Sequence, residues 1–166
     1  MSKTARFRVL PLAAALVAGL SVAACSNDKD LADASAFGAG ASTPGSAQDF
    51  VVNVGDRVFF ESDSTDLTPT ATATLDKQAT WLQRYPRYTF LIEGHADERG
   101  TREYNFSLGA RRAQTVNDYL ASRGIASGRI RTVSYGKERP VAVCNDISCW
   151  SQNRRAVTVL DRGAGS

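Results

Sequence analysis

The sequence has a single histidine, His95. One imidazole with no convergent second cluster of donors cannot build a multi-histidine metal centre. No Ser or Cys stands in a recognisable nucleophile motif, and no two acids are placed for glycoside chemistry. A hydrolase therefore has no constellation to work with. Long apolar runs are missing too. The longest uncharged, mostly apolar stretch, Val9–Ala24, is 16 residues, short for a membrane span. No internal repeat is visible. An excess of one charge is also absent from the part that would fold. The chain has 20 basic and 17 acidic residues, but Lys3, Arg6 and Arg8 fall in residues 1–24, which hold no acid, leaving 17 of each sign beyond them. That balance gives no support for a nucleic-acid partner.

What is present begins with a leader. Three basic residues precede the apolar stretch, which ends in Val22-Ala23-Ala24-Cys25. A short apolar core after a basic start reads as a signal peptide. The small-small-Cys ending resembles a bacterial lipobox. That resemblance implies removal of residues 1–24, diacylation of the Cys25 sulfur and acylation of its new N-terminus. Ser26 follows the cysteine rather than Asp, which by the lipoprotein rule points to the outer membrane. Residues 26–49 are small, polar and acidic on balance, with Ala, Gly, Ser and Asp dominant. Such a segment buries too little apolar area to offset chain entropy, so residues 25–49 are expected to be a lipid-bearing tether.

From Phe50 to Ser166 the texture is that of one compact domain. Arg57–Phe60 reads as a strand. Thr68 suits a helix cap and Pro69 the first helical position. Thr72, Leu75, Ala79 and Leu82 then give a buried stripe up to about Arg84. Arg87–Gly94 alternates as a second strand. Gly109, Ala113, Val116 and Leu120 mark a second helix ended by Gly124. Arg129–Gly136 and Arg154–Leu160 read as the last two strands, joined by a polar loop with one short helical turn. The order β-α-β-α-β-β predicts an α+β, two-layer domain with helices packed on one face of a mixed sheet.

The stretch GHADERGTREYNFSLGARRAQTVNDYL, Gly94 to Leu120, carries the chemistry. With Asn105 at zero on a helical wheel, Leu108 falls near about −60° and Arg112 near about −20°, while the apolar stripe spans about 20° to 80°. Asn105 and Arg112 thus lie at the rim of the buried stripe. Arg111, near about −120°, points away. Asp97 precedes the helix, whose free backbone N–H groups lie nearby. An acid on a loop, a guanidinium on a helix rim and an amide between them suit a zwitterion. Asp97 can accept from an ammonium, and Arg112 can grip a carboxylate as a fork. A mutual Asp97–Arg112 salt bridge is the plainer alternative.

The ordered set Gly94, Asp97, Gly100, Tyr104-Asn105, Leu108, Arg111-Arg112-Ala113 and Val116 closely resembles the OmpA C-terminal-like domain family. It is bracketed by VFFESDSTDL before it and by SYGKERP and NRRAV after it. Downstream of a lipobox, it is most similar to the branch of peptidoglycan-associated lipoproteins. The resemblance spans about residues 56–160 and implies a non-catalytic domain that binds the meso-diaminopimelate stem peptide of peptidoglycan. By the same resemblance Asp97 holds the ligand's ammonium and Arg112 its carboxylate, with Phe60, Asn105 and Leu108 completing the groove. Local capping by Asn105 and core packing by Phe60 and Leu108 stay open beside those roles. The family also implies a place in the Tol–Pal system, contact with the β-propeller protein TolB, and an outer-membrane anchor facing the periplasm. An OmpA-like anchor without a Tol partner is the alternative. A membrane-anchored cell-wall hydrolase is the remote one.

Asp63, Arg99 and Arg102 flank the groove and read as surface charges. Arg154 and Arg155 read as a solvated strand start, and His95 as a packing residue rather than a base. A metal face from Glu93, His95 and Asp97 is weak, and no cofactor is expected. Cys144 and Cys149 are the two thiols left beyond Cys25. In an oxidising compartment they are expected to pair and pin their loop, with two reduced buried cysteines as the alternative.

Overall fold

The computed structural model of the chain describes residues 42–161. The leader, the lipobox Cys25 and most of the expected tether lie outside the described residues. Ala47–Asp49 (α1) runs into a π-helical turn, Phe50–Val54. The elements that follow are β1 (Arg57–Phe59), α2 (Pro69–Arg84), β2 (Thr89–His95), α3 (Arg102–Ser122), β3 (Ile130–Gly136), α4 (Ile147–Asn153) and β4 (Arg155–Asp161). The sheet order is β1-β4-β2-β3, with β2 and β3 parallel and the other pairs antiparallel. This is the two-layer α+β architecture that the element order predicts. Among the described residues, no helix is long and apolar enough to cross a membrane.

Local chemistry sets the helix starts. Thr68 Oγ1 accepts from Ala71 N at 3.1 Å, and Pro69 takes the first turn, where no N–H is needed. Thr101 caps α3 by accepting from Tyr104 N at 3.2 Å. Asp146 caps α4, which is longer than the single turn expected, by accepting from Ser148 N at 2.8 Å. Leu75 and Leu82 of α2, Val116 and Leu120 of α3, and Phe90 and Ile92 of β2 meet in one core. Each such side chain contributes about 1.5–3 kcal/mol by leaving water. The buried Gln78 amide is matched: it donates to Gly55 O at 2.7 Å and accepts from Thr158 Oγ1 at 2.9 Å.

The domain begins earlier than the Phe50 boundary expected from composition. Gly45 O accepts from Arg87 Nη2 at 2.6 Å and from Tyr88 Oη at 2.9 Å. The Asp49 carboxylate accepts from Trp81 Nε1 at 2.8 Å, and Phe50 is fully buried against the Trp81 ring. Polar composition misled here because the segment is held mainly by its own carbonyl and carboxylate, not by an apolar stripe. Cys144 and Cys149 are joined by a disulfide, with Cα atoms 5.7 Å apart.

Candidate functional site

Two glycines decide where α3 lies. A Cβ on Gly94 would sit 2.7 Å from the Gly109 carbonyl carbon, and one on Gly109 would strike Ser134 Oγ. Helix and strand backbones therefore touch directly, and α3 lies flat across β2 and β3. A Cβ on Gly136, at φ 50°, would sit 2.9 Å from Phe106 N. This approach carries Asn105, Leu108 and Arg112 past the C-terminal end of β2. There the pairing with β3 shifts register between Gly94 and His95, and the chain turns into the Asp97 loop.

That loop is tied down from three sides. Ala96 N donates to Gly136 O at 2.8 Å. Asn105 Nδ2 donates to Arg99 O at 2.7 Å and to Thr101 O at 3.0 Å, which ties the loop to the first turn of α3, whose cap is Thr101. Lys137 Nζ donates to Gly100 O at 2.7 Å.

The two adjacent arginines separate as the wheel predicts. Arg111 is exposed and Arg112 is fully buried. Arg112 Nε donates to Ser64 O at 2.9 Å, Nη1 to His95 O at 2.8 Å and Nη2 to Glu61 O at 3.1 Å. Its guanidinium lies 5.2 Å from the Phe60 ring centroid. Burial first, then the charge of Arg154, pushes its pKa down to about 10, against the pull of Asp97 and Asp63. It stays charged at neutral pH. Three carbonyls use three of its five N–H groups, which leaves one on each Nη.

Asp97 is 7% exposed and does not pair with Arg112, so that salt bridge is corrected. Its partners are Arg99 and Arg154. Arg99 Nη2 donates to Oδ2 at 2.6 Å and Nε to Oδ1 at 3.1 Å, while the Arg99 backbone N–H reaches Oδ1 at 3.2 Å. Arg154 Nη1 donates to Oδ2 at 3.3 Å. Burial pushes the Asp97 pKa up, but the Arg99 bonds and charge and the Arg154 bond outweigh it and hold the carboxyl below its ordinary value.

Arg154 and Arg155 are buried, not solvated as their charge suggested. Arg154 Nε donates to Phe60 O at 3.0 Å, and Phe60 N to Arg154 O at 2.9 Å. A usable signal was there, because strand alternation puts Arg154 on the same face as Ala156 and Thr158, which are buried. Arg155 faces the other side and donates to Asn153 O and Arg139 O. Phe60 belongs to the core cluster. Leu108 is buried beside Arg112 on the helix rim but outside that cluster. Asp63, at φ 57°, accepts from the Tyr104 hydroxyl. The structure thus gathers Phe60, Asp97, Asn105, Leu108 and Arg112 at one end of the sheet, and adds Arg99 and Arg154.

His95 faces away from the helices. It is 2% exposed, neither ring nitrogen has a hydrogen-bond partner, and its ring packs 5.6 Å from that of Tyr135. Burial first, then the charges of Arg155, Arg139 and Arg57, pushes its pKa down to about 4. Among the described residues, no three His, Cys, Asp or Glu side chains converge as metal ligands.

Comparison with known proteins adds an independent line. The OmpA family model matches residues 59–154. The chain is 64% identical over 159 residues to a peptidoglycan-associated lipoprotein of Rhizobium meliloti, covering 94% of this chain and 90% of that protein. It is 59% identical over 169 residues to the peptidoglycan-associated lipoprotein of Mesorhizobium japonicum, covering 100% of each. The crystal structure of the peptidoglycan-associated lipoprotein from Burkholderia pseudomallei superposes with a TM-score of 0.62 at 40% identity, covering 64% of this chain and 90% of that one.

Proposed function

The chain belongs to the OmpA family, among its peptidoglycan-associated lipoproteins, and from that premise we propose that it binds the cell wall without catalysis and ties the outer membrane to it. The observation that carries this reading is the ionised Asp97 carboxylate at the end of β2, set within one site with the charged Arg112 on α3. A diaminopimelate side chain ends in an ammonium and a carboxylate on one carbon, which asks for that pair of opposite charges. Asp97 takes the ammonium. Arg112 takes the carboxylate with the two N–H groups the carbonyls leave over, and since it is fully buried, the covering Glu61–Ser64 turn shifts to admit the ligand. Phe60, Leu108 and Asn105 shape the walls.

Anchoring belongs to the same proposal. Cys25 is the lipidated mature N-terminus, and the domain faces the periplasm, where Cys144 and Cys149 stay bridged. Two or more acyl chains meet the physical condition for stable anchoring. The protein acts within the Tol–Pal system, with TolB and other Tol proteins as partners. Recovery of TolB from cross-linked envelopes supports that placement, and its absence favours a general wall anchor.

Pull-down on purified sacculi tests the site. Asp97→Ala and Arg112→Ala are each expected to lose about 2–5 kcal/mol of binding, the cost of truncating a desolvated charge pair. Arg111→Ala is expected to bind like wild type. Thermal melts of the three variants separate lost contacts from lost folding. Release of soluble muropeptides during incubation would overturn the non-catalytic reading.

A further inference from the structure

Asp97 has no acceptor capacity left over. A carboxylate offers about four lone-pair sites, and here four N–H groups point at them, from Arg99 Nε, Nη2 and backbone N, and from Arg154 Nη1. An incoming ammonium can bond to Asp97 only if one of these donors leaves. Arg154 is 4% exposed and also committed to Phe60 O. The Arg99 backbone N–H belongs to the loop itself. The Arg99 side chain, 43% exposed, is the donor free to withdraw.

The same side chain is held in place from outside. Arg99 Nη2 also donates to Ser62 Oγ at 2.9 Å, and the guanidinium lies 4.3 Å from the centroid of the Trp150 ring. Trp150 is itself fixed, since its indole N–H donates to the Glu98 carboxylate and it follows the bridged Cys149 on α4. Arg99 is thus clasped between the acid it neutralises and an aromatic face supplied from about 50 residues downstream.

We propose that Arg99 is the specificity-setting residue of this site, a built-in stand-in for the ligand's ammonium that must be displaced from Asp97 before the ligand binds, with Trp150 and Ser62 as its latch. The inference rests on the reading that Asp97 receives the ammonium. It sets a requirement on the ligand. A primary ammonium brings three N–H donors and replaces both side-chain bonds that Arg99 gives up. An acylated amine brings one weak donor and no charge, so it cannot replace them. Removing Arg99 favours the cationic ligand and leaves the acylated one unaffected.

The test is calorimetry with the full chain and a synthetic stem tetrapeptide containing meso-diaminopimelate, beside the same peptide acetylated on the side-chain amine. Arg99→Gln is expected to bind the free-amine peptide roughly 5-fold more tightly than wild type, and Trp150→Leu roughly 3-fold, the scale of a lost charge-assisted or cation–π competitor. The double variant should bind no more tightly than Arg99→Gln, because Trp150 acts through Arg99. The acetylated peptide should bind wild type and Arg99→Gln equally weakly. Binding by Arg99→Gln that equals or falls below wild type, while Asp97→Asn still loses binding, overturns the latch and leaves the wall-binding reading standing. Asp97→Asn binding as well as wild type, or no binding by wild type at all, overturns both.

Discussion

Arg111 and Arg112 are neighbours with opposite fates, one exposed and one fully buried. Helical phase alone separates them, so this part of the site was legible from spacing. Their partners were not. Arg112 is held by three backbone carbonyls, and a carbonyl carries no residue-specific signal. Asp97 takes one arginine from its own loop and another 57 positions away, which the tertiary fold alone brings together. His95 shows the same limit: its place at the strand end was readable, the lack of a hydrogen-bond partner for either ring nitrogen was not. That burial yields a pH prediction. With a folded-state pKa of about 4 against an ordinary 6.5, the unfolded chain takes up a proton first as pH falls. Stability is therefore full above pH 6.5 and declines as pH drops towards 4, by up to about 3 kcal/mol from this one group. Urea midpoints taken across that window should fall for wild type and stay nearly flat for His95→Phe. Asp97, held below its ordinary value, loses its contribution only at lower pH.

Between elements, the contact that matters most is the bare meeting of α3 and β2 at Gly109 and Gly94. Gly109→Ala puts a methyl group into Ser134 Oγ and the Gly94 carbonyl. Ser134 Oγ cannot easily retreat, because it donates to Phe106 O at 2.6 Å. The helix must lift, and with it Asn105, Leu108 and Arg112. A loss of about 3 kcal/mol, the upper part of the usual overpacking range, is expected from chemical denaturation, together with weaker sacculus binding. Gly109 stood out in the sequence as a member of the apolar stripe, but periodicity says only that a residue faces inward. It does not say that the space there is too small for a methyl. The start of α2 at Pro69 was readable because Thr68 and Pro69 announce it locally. The α1 and π-helical turn was not, because Gly45 and Asp49 are held by Arg87, Tyr88 and Trp81, residues about 30 to 40 positions further on.

At the scale of the molecule, the first and last strands lie side by side, Arg57 opposite Val157, so the chain closes on itself before the domain is complete. The Cys144–Cys149 bridge does not help that closure, since it spans only five positions. Closing so short a loop contributes about 2 kcal/mol in the chain-entropy model. The Cys144→Ser, Cys149→Ser double variant should therefore melt about 6–10 °C lower and remain folded, which differential scanning calorimetry can show. The β-α-β-α-β-β frame, β1 included, was legible from alternation and helical period, whereas the full seven-residue length of α4 inside the last loop was not. The hold on Gly45 has a mechanical side. The bonds from Arg87 and Tyr88 attach the N-terminal end of the domain to the residues just before β2. β2 is an interior strand, flanked by β4 and β3, and it runs directly to Asp97. If the proposed site is the wall contact, tension arriving from a membrane tether would be handed at Gly45 to the start of β2 and carried along its seven residues, about 23 Å, to the Asp97 loop. The three-residue β1, the strand easiest to peel, lies off that line of force.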